Sequence, residues 1–325
     1  MKNFWLKLDK PFFCLAPMAD VTDCAFRKLI TKYGKPDVLW TEFVAADGLA
    51  HPVAREKLLI DLKFEEGEHP IVAQIFGSKP ENIREAANLC RELGFDGIDI
   101  NMGCPDRTIE KQGAGAATMK NPELAKEIIR AAKEGAGDLP VSIKTRIGYN
   151  KVEIETWLPV LLNEDIAALT VHLRTRKEMS DVPAHWELMP EIVALRDKIN
   201  PNIILIGNGD VLDLDDAKKK CEETGCDGAM LGRAIFGNPW LFKNLSQYAP
   251  SLQEKLTVMA EHTKLFESML GGVKNFAIMK KHYKAYVNGF DGAKELRMEL
   301  MDAKNADEVE KTVTNFLKNG NHLQN

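Results

Sequence analysis

A chain of 325 residues, 45% of them hydrophobic, carries enough apolar surface for one large packed domain and a smaller one. Its 48 acidic against 43 basic side chains leave a net charge of −5, which excludes binding to nucleic acid through a global basic field and makes any such contact local. Six cysteines without a Cys-x-x-Cys pair exclude a disulfide scaffold or zinc ribbon, and with no apolar leader or membrane-length run a soluble, cytoplasmic protein with free thiols and no metal is expected.

Short apolar runs alternate with amphipathic ones from residue 12 to residue 245. Strands are predicted at 13–18, 38–43, 71–76, 97–102, 141–145, 168–172, 203–208 and 228–232. Helices between them are expected to open at Ser78 before Pro80, at Asn121 before Pro122 and at Asp213. Eight strands, most followed by a helix, predict an α/β fold, a parallel sheet closed into a (β/α)8 TIM barrel. The rival is a doubly wound open sheet, disfavoured because no Gly-x-Gly-x-x-Gly follows the first strand. Beyond 245 the strands stop, and helical periodicity runs over 251–270, 274–288, 292–301 and 307–317. The expected division is therefore a catalytic barrel over 1–245 and a C-terminal all-helical domain over 246–325.

In such a barrel the active site lies at the C-terminal ends of the strands. Pro17-Met18, Gln74, Asn101 to Cys104, Lys144, His172, Asn208-Gly209 and Gly232-Arg233 all terminate predicted strands. One polar residue at the end of an apolar run marks the border between core and loop. Seven such ends converging on one face do not share that explanation.

Three chemistries can be read from these ends. The glycines of Ile206-Gly-Asn-Gly-Asp210 and Met230-Leu-Gly-Arg-Ala234 let backbone N–H groups approach an anion at the usual phosphate position of barrels, with Arg233 adding charge. Lys144, His172 and Gln74 can bond the edge of a flat ring and stabilise negative charge on it, while Pro17-Met18 packs on its face; phosphate plus such a ring indicates FMN. Cys104, in Asp99-Ile-Asn-Met-Gly-Cys-Pro105, stands at the end of an apolar strand with neither a resolving thiol nor a ligand set nearby. A buried structural thiol is the commoner fate of a cysteine and a thiol can also be a nucleophile, but a hydride donor needs a proton donor beside it and Cys104 fits that task. In the C-terminal segment Lys274, Lys280, Lys281, His282 and Lys284 with Tyr283 and Tyr286 form the most basic aromatic-bearing stretch. Such a run is more often a solvated helix face than an RNA contact.

The ordered set of motifs resembles the tRNA-dihydrouridine synthases of the bacterial type over nearly the whole chain. It comprises Ala16-Pro-Met-Ala-Asp-Val-Thr-Asp23, Gln74-Ile-Phe-Gly77, Asn101-Met-Gly-Cys-Pro105, Gly113-Ala-Gly115, Lys144-Thr-Arg146, His172-Leu-Arg-Thr-Arg176, Asn208-Gly-Asp210 and Gly232-Arg-Ala234. The resemblance implies an FMN enzyme that reduces the C5=C6 bond of particular tRNA uridines with NADPH. It implies that Pro17, Met18, Gln74, Lys144, His172, Asn208, Gly209, Asp210, Gly232 and Arg233 hold the flavin, and that Cys104 protonates C5 while hydride reaches C6. Asn101 and Arg146 would orient the uracil, Arg174 and Arg176 would lie on the RNA side, and Lys280, Lys281, His282 and Arg297 would grip tRNA. The protein is expected to act as a monomer. Two departures stand out: Leu173 replaces a usual glycine, and 177–186 lacks the usual tyrosine and acid before its tryptophan. The rivals are an FMN barrel acting on a free pyrimidine or dihydroorotate-like molecule, and a non-catalytic RNA-binding barrel.

Overall fold

The computed structural model describes residues 3–243 and 249–319. The strands are β1 (Phe12–Leu15), β2 (Leu39–Trp40), β3 (Val44–Ala45), β4 (Ile71–Phe76), β5 (Gly97–Asn101), β6 (Val141–Arg146), β7 (Ala168–His172), β8 (Ile204–Asn208) and β9 (Gly228–Leu231). All pair in parallel, in the order β1-β9-β8-β7-β6-β5-β4-β2, with β3 paired to the upper end of β4. A parallel bridge from Cys14 to Val38 brings β1 against β2 and closes the sheet. Asp37 seals that seam by donating its N–H to the Phe13 carbonyl at 2.9 Å and accepting the Phe13 N–H on Oδ2 at 2.7 Å. The expected eight-stave barrel is present, but of the run 38–43 only Leu39–Trp40 is strand, and the second short piece, Val44–Ala45, lies just beyond it.

Residues two apart on a strand share a face, so the barrel interior can be read down each stave. Its lower part is apolar: Phe12, Val38, Trp40, Val72, Ala168 and Ile204. The 3-10 turn Phe4–Lys7, capped by Asn3, places Trp5 there, 5.9 Å from the Phe12 ring and 5.7 Å from Trp40. Trp5 therefore stoppers the N-terminal end. The upper part is polar. Gln74 pairs in register with Asp99, Asp99 with Ser142, Asn101 with Lys144, Lys144 with Thr170, and His172 with Asn208.

Two of the three expected helix starts hold, since Asn121 and Asp213 accept N–H bonds from Leu124 and Asp216. The third does not. Lys79 is the N-cap of helix Pro80–Glu92 without a side-chain bond, and Ser78 Oγ instead donates to the Gln112 carbonyl at 2.6 Å.

The chain divides into two compact units: residues 1–22 with 36–232, and 23–35 with 233–325. The boundary expected at residue 245 lies outside the described residues. Helix Cys24–Tyr33 falls between β1 and β2 in the chain but groups with helices Leu252–Leu270, Ile278–Tyr286, Ala293–Asp302 and Ala306–Asn319. Its Phe26 ring stacks on His262 at 4.8 Å, and His262 meets His282 at 4.6 Å. Both histidines are fully buried. Among the described residues no helix is long and apolar enough to cross a membrane.

Candidate active site at the barrel mouth

Cys104 sits on the turn that leaves β5. Asn101, the last residue of that strand, accepts the N–H groups of Gly103 at 3.1 Å and Cys104 at 2.9 Å on its Oδ1. Its Nδ2 donates to Gln74 Oε1 at 3.0 Å. From the next stave Arg146 Nε donates to the Gly103 carbonyl at 2.8 Å, and the Met102 N–H bonds the Lys144 carbonyl at 2.8 Å. The turn is thus held on both sides. The thiol is half-buried and packs against the cluster Phe76, Ile109 and Ala114. Burial raises its pKa above the usual thiol value, against the pull of Arg146 and Lys144, so the sulfur keeps its proton at neutral pH.

Lys144 Nζ donates to Asn208 Oδ1 at 2.9 Å, and Asn208 Nδ2 donates to the Met230 carbonyl at 2.8 Å. Burial, reinforced by the Arg146 charge, pushes the ammonium down to about 8. Beneath it, burial pushes the Asp99 carboxyl up to about 6, opposed by bonds from Ser142 and Gln74. Two opposite charges share the upper barrel at neutral pH. His172, at the end of β7, receives a contact from Arg174 at 3.2 Å on Nε2.

Several residues expected to meet RNA or cofactor are engaged within the barrel unit instead. Arg174, only 2% exposed, donates to the Val182 carbonyl at 2.6 Å and pairs with Asp210, so it orders the loop and does not face RNA. Asp210 also accepts the Ala184 N–H at 2.9 Å and serves as the arginine's counter-charge. Arg176 forks onto Glu110 and lies over the Tyr149 ring. The buried Arg146 spends its donors on the carbonyls of Gly103, Thr175 and Met179. Both ends of the Asn101 and Gln74 amides are likewise taken. In the helical unit His282 is 0% exposed and cannot touch nucleic acid from there. Lys280 donates to the Met301 carbonyl and Arg297 to the Val287 carbonyl, each at 2.6 Å, while Lys281 is exposed.

The departures from the expected pattern are absorbed. Leu173 is fully buried, and its carbonyl accepts the His185 N–H at 2.7 Å. Trp186 lays its ring where a Cβ on Gly207 would stand, 2.4 Å from Cη2, and donates to the Gly209 carbonyl at 2.6 Å. Gly209, at φ +123°, has no room for a side chain beside Ala184 and His172.

Gly232 differs. A Cβ there would meet only Ala16 Cβ at 3.7 Å and Met18 Sδ at 3.9 Å, ordinary contacts that the fold would tolerate. Packing alone does not demand Gly232, which has room for a Cβ beside Ala16 and Met18. It lies at the ends of β1 and β9, where barrels commonly seat phosphate. Arg233 follows directly and opens the turn Arg233–Ile235. The buried ammonium of Lys144 and the amide of Asn208 fit a polar, electron-accepting ring. Among the described residues no cluster of His, Cys, Asp and Glu could hold a metal ion.

Sequence reasoning assigned no role to Asp99 or Ser142. A lone charge in the apolar run 97–100 was the available signal.

Residues 14–321 match the family model described as dihydrouridine synthase (Dus). The chain is 45% identical over 317 residues to a probable tRNA-dihydrouridine synthase 2 of Bacillus subtilis strain 168, covering 97% of each chain. It is 43% identical to a probable tRNA-dihydrouridine synthase of Staphylococcus aureus strain Mu50, covering 97% of this chain and 96% of that one. Morphinone reductase is similar in fold, with a TM-score of 0.53 and 15% identity over 74% of this chain and 86% of that one. So is 2-naphthoyl-CoA reductase, with a TM-score of 0.56 and 10% identity over 86% of this chain and 57% of that one.

Proposed function

Because the chain belongs to the dihydrouridine synthase family, we propose that it reduces the C5=C6 bond of particular uridines in tRNA, as a cytoplasmic monomer with FMN as resident cofactor and NADPH as reductant. Lys144, His172 and Asn208 would hold the flavin ring, with Gly209, Gly232 and Arg233 at its phosphate and Pro17-Met18 against its face. When bound, FMN supplies the hydride for C6.

The chain itself supplies the proton. Cys104 keeps its hydrogen at neutral pH because burial disfavours the thiolate. A donor is needed at C5 when hydride arrives at C6, and a protonated thiol on a fixed turn meets that need. Asn101 and Arg146 fix the turn through the Gly103 and Cys104 backbone and so aim the sulfur. The target base has to leave its stack to reach a barrel mouth. Lys281, Lys280 and Arg297 would contact RNA phosphate, a local basic surface being sufficient despite the net charge.

The observation that carries this reading is the Cys104 thiol on a turn tied to both neighbouring staves. The test is the visible spectrum of the purified protein, followed by anaerobic NADPH and then unmodified tRNA. A flavin spectrum that bleaches with NADPH and returns with tRNA supports it. A flavin spectrum indifferent to tRNA favours a free small molecule, and a protein that takes up no FMN defeats the mechanism.

A further inference from the structure

A line of side-chain hydrogen bonds runs down from Cys104 and ends on a carboxylate that no part of the mechanism uses. Asp99 is fully buried. Its Oδ1 accepts from Ser142 Oγ and its Oδ2 from Gln74 Nε2, both at 2.6 Å. Gln74 Oε1 accepts from Asn101 Nδ2 at 3.0 Å, and Asn101 Oδ1 accepts the Cys104 N–H at 2.9 Å.

The line has a direction. An ionised carboxylate only accepts, so Gln74 must turn its NH2 toward Asp99 and its carbonyl toward Asn101. Asn101 must then turn its NH2 toward Gln74, which leaves its carbonyl for the Cys104 turn. Reversing one amide sets two acceptors or two donors face to face in a buried site, which is costly. We infer that Asp99 is a positioning residue that fixes the orientation of the Gln74 and Asn101 amides and, through them, the placement of the Cys104 thiol. The arrangement stands without the proposed function; its catalytic consequence rests on it.

The inference is tested by reversing the line. In Asn101→Asp the new carboxylate faces Gln74 Oε1, and Gln74 cannot turn over because Asp99 needs its donor. Adding Asp99→Asn removes that demand. Gln74 can then give its NH2 to residue 101 and take the new amide's NH2 on its carbonyl, while Ser142 donates to the new amide's oxygen. Asp99→Leu removes the same charge but supplies no donor. Asp99→Asn alone preserves the original direction if Ser142 turns its hydrogen to the Ile98 carbonyl, 3.3 Å away.

Thermal midpoint and tRNA turnover are measured for the single and double variants of the full chain. Asn101→Asp is expected to lower the midpoint by about 5–10 °C and kcat by about 100-fold, with a smaller change in KM. Asp99→Asn should return the midpoint to within about 3 °C of wild type and recover roughly tenfold in kcat, whereas Asp99→Leu should rescue neither. Equal rescue by leucine would reduce the effect to charge relief, and no rescue by asparagine would remove the directional role; either overturns the inference. A wild-type protein inactive on tRNA defeats the proposed function, while the midpoints still decide the hydrogen-bond line.

Discussion

Lys144 and Asn208 meet across an intervening stave: Nζ on β6 donates to Oδ1 on β8 at 2.9 Å, above the Thr170 position of β7. A positive charge is thereby fixed at the centre of the mouth. Burial holds its pKa at about 8, which makes the charge conditional on pH.

For Lys144, function and stability should move in opposite directions with alkali. The folded amine loses its proton as pH rises through about 8, and with it the charge offered to the flavin. FMN retention, read as fluorescence released on dilution, should fall above that pH. The unfolded amine holds its proton to about 10.5, so the unfolded state binds more protons in between and this group's contribution to stability rises. Lys144→Met should abolish the alkaline fall in retention while weakening FMN binding at every pH.

Cys104→Ala should retain FMN and its reduction by NADPH but lose about 100- to 10,000-fold in turnover of uridine, the usual worth of a positioned general acid. Stopped-flow absorbance separates the two half-reactions. Loss of flavin from the variant would mark the thiol as structural.

Acid should attack the helical unit first. Among the described residues none of the four ring nitrogens of His262 and His282 has a hydrogen-bond partner, and burial holds both rings neutral, pushing the pKa of His282 down to about 3. The unfolded rings titrate near 6.5, so unfolding takes up protons and stability falls as pH drops below that value. Two such groups give a slope approaching about 2.7 kcal/mol per pH unit. Urea titrations between pH 7.5 and 5 should record it, and His282→Phe should roughly halve it.

Lys281→Glu should weaken tRNA binding and reduce the salt slope of affinity by about 1, leaving NADPH oxidation intact. The same reversal at Lys280 would break its bond to the Met301 carbonyl, so its effect should include a lower thermal midpoint. An unaltered salt slope for Lys281→Glu would remove this face from the RNA surface.

The barrel was legible because apolar runs of strand length were punctuated by caps, and 71–76 and 168–172 coincide with β4 and β7. The seam was not. Residues 38–43 look continuous, but the barrel is closed there by a single bridge and the two bonds between Asp37 and Phe13. Cys104 could be found from its motif. The partner of Arg174 could not, since Asp210 is 36 residues away and the pair exists only once β7 and β8 are adjacent. His282 was misread through its charged neighbours. Met279, His282, Tyr283 and Tyr286 recur at helical spacing, and that stripe is the buried face.

Trp5, wedged between Phe12 and Trp40, gives the barrel a floor. A vessel with a floor has one door. Under the proposed function, two bulky reactants served by that door would take turns, the dinucleotide departing before the nucleic acid is admitted. Steady-state rates at several fixed reductant concentrations should accordingly give parallel lines in double-reciprocal form, the signature of a substituted enzyme, whereas intersecting lines would require both reactants to be seated together.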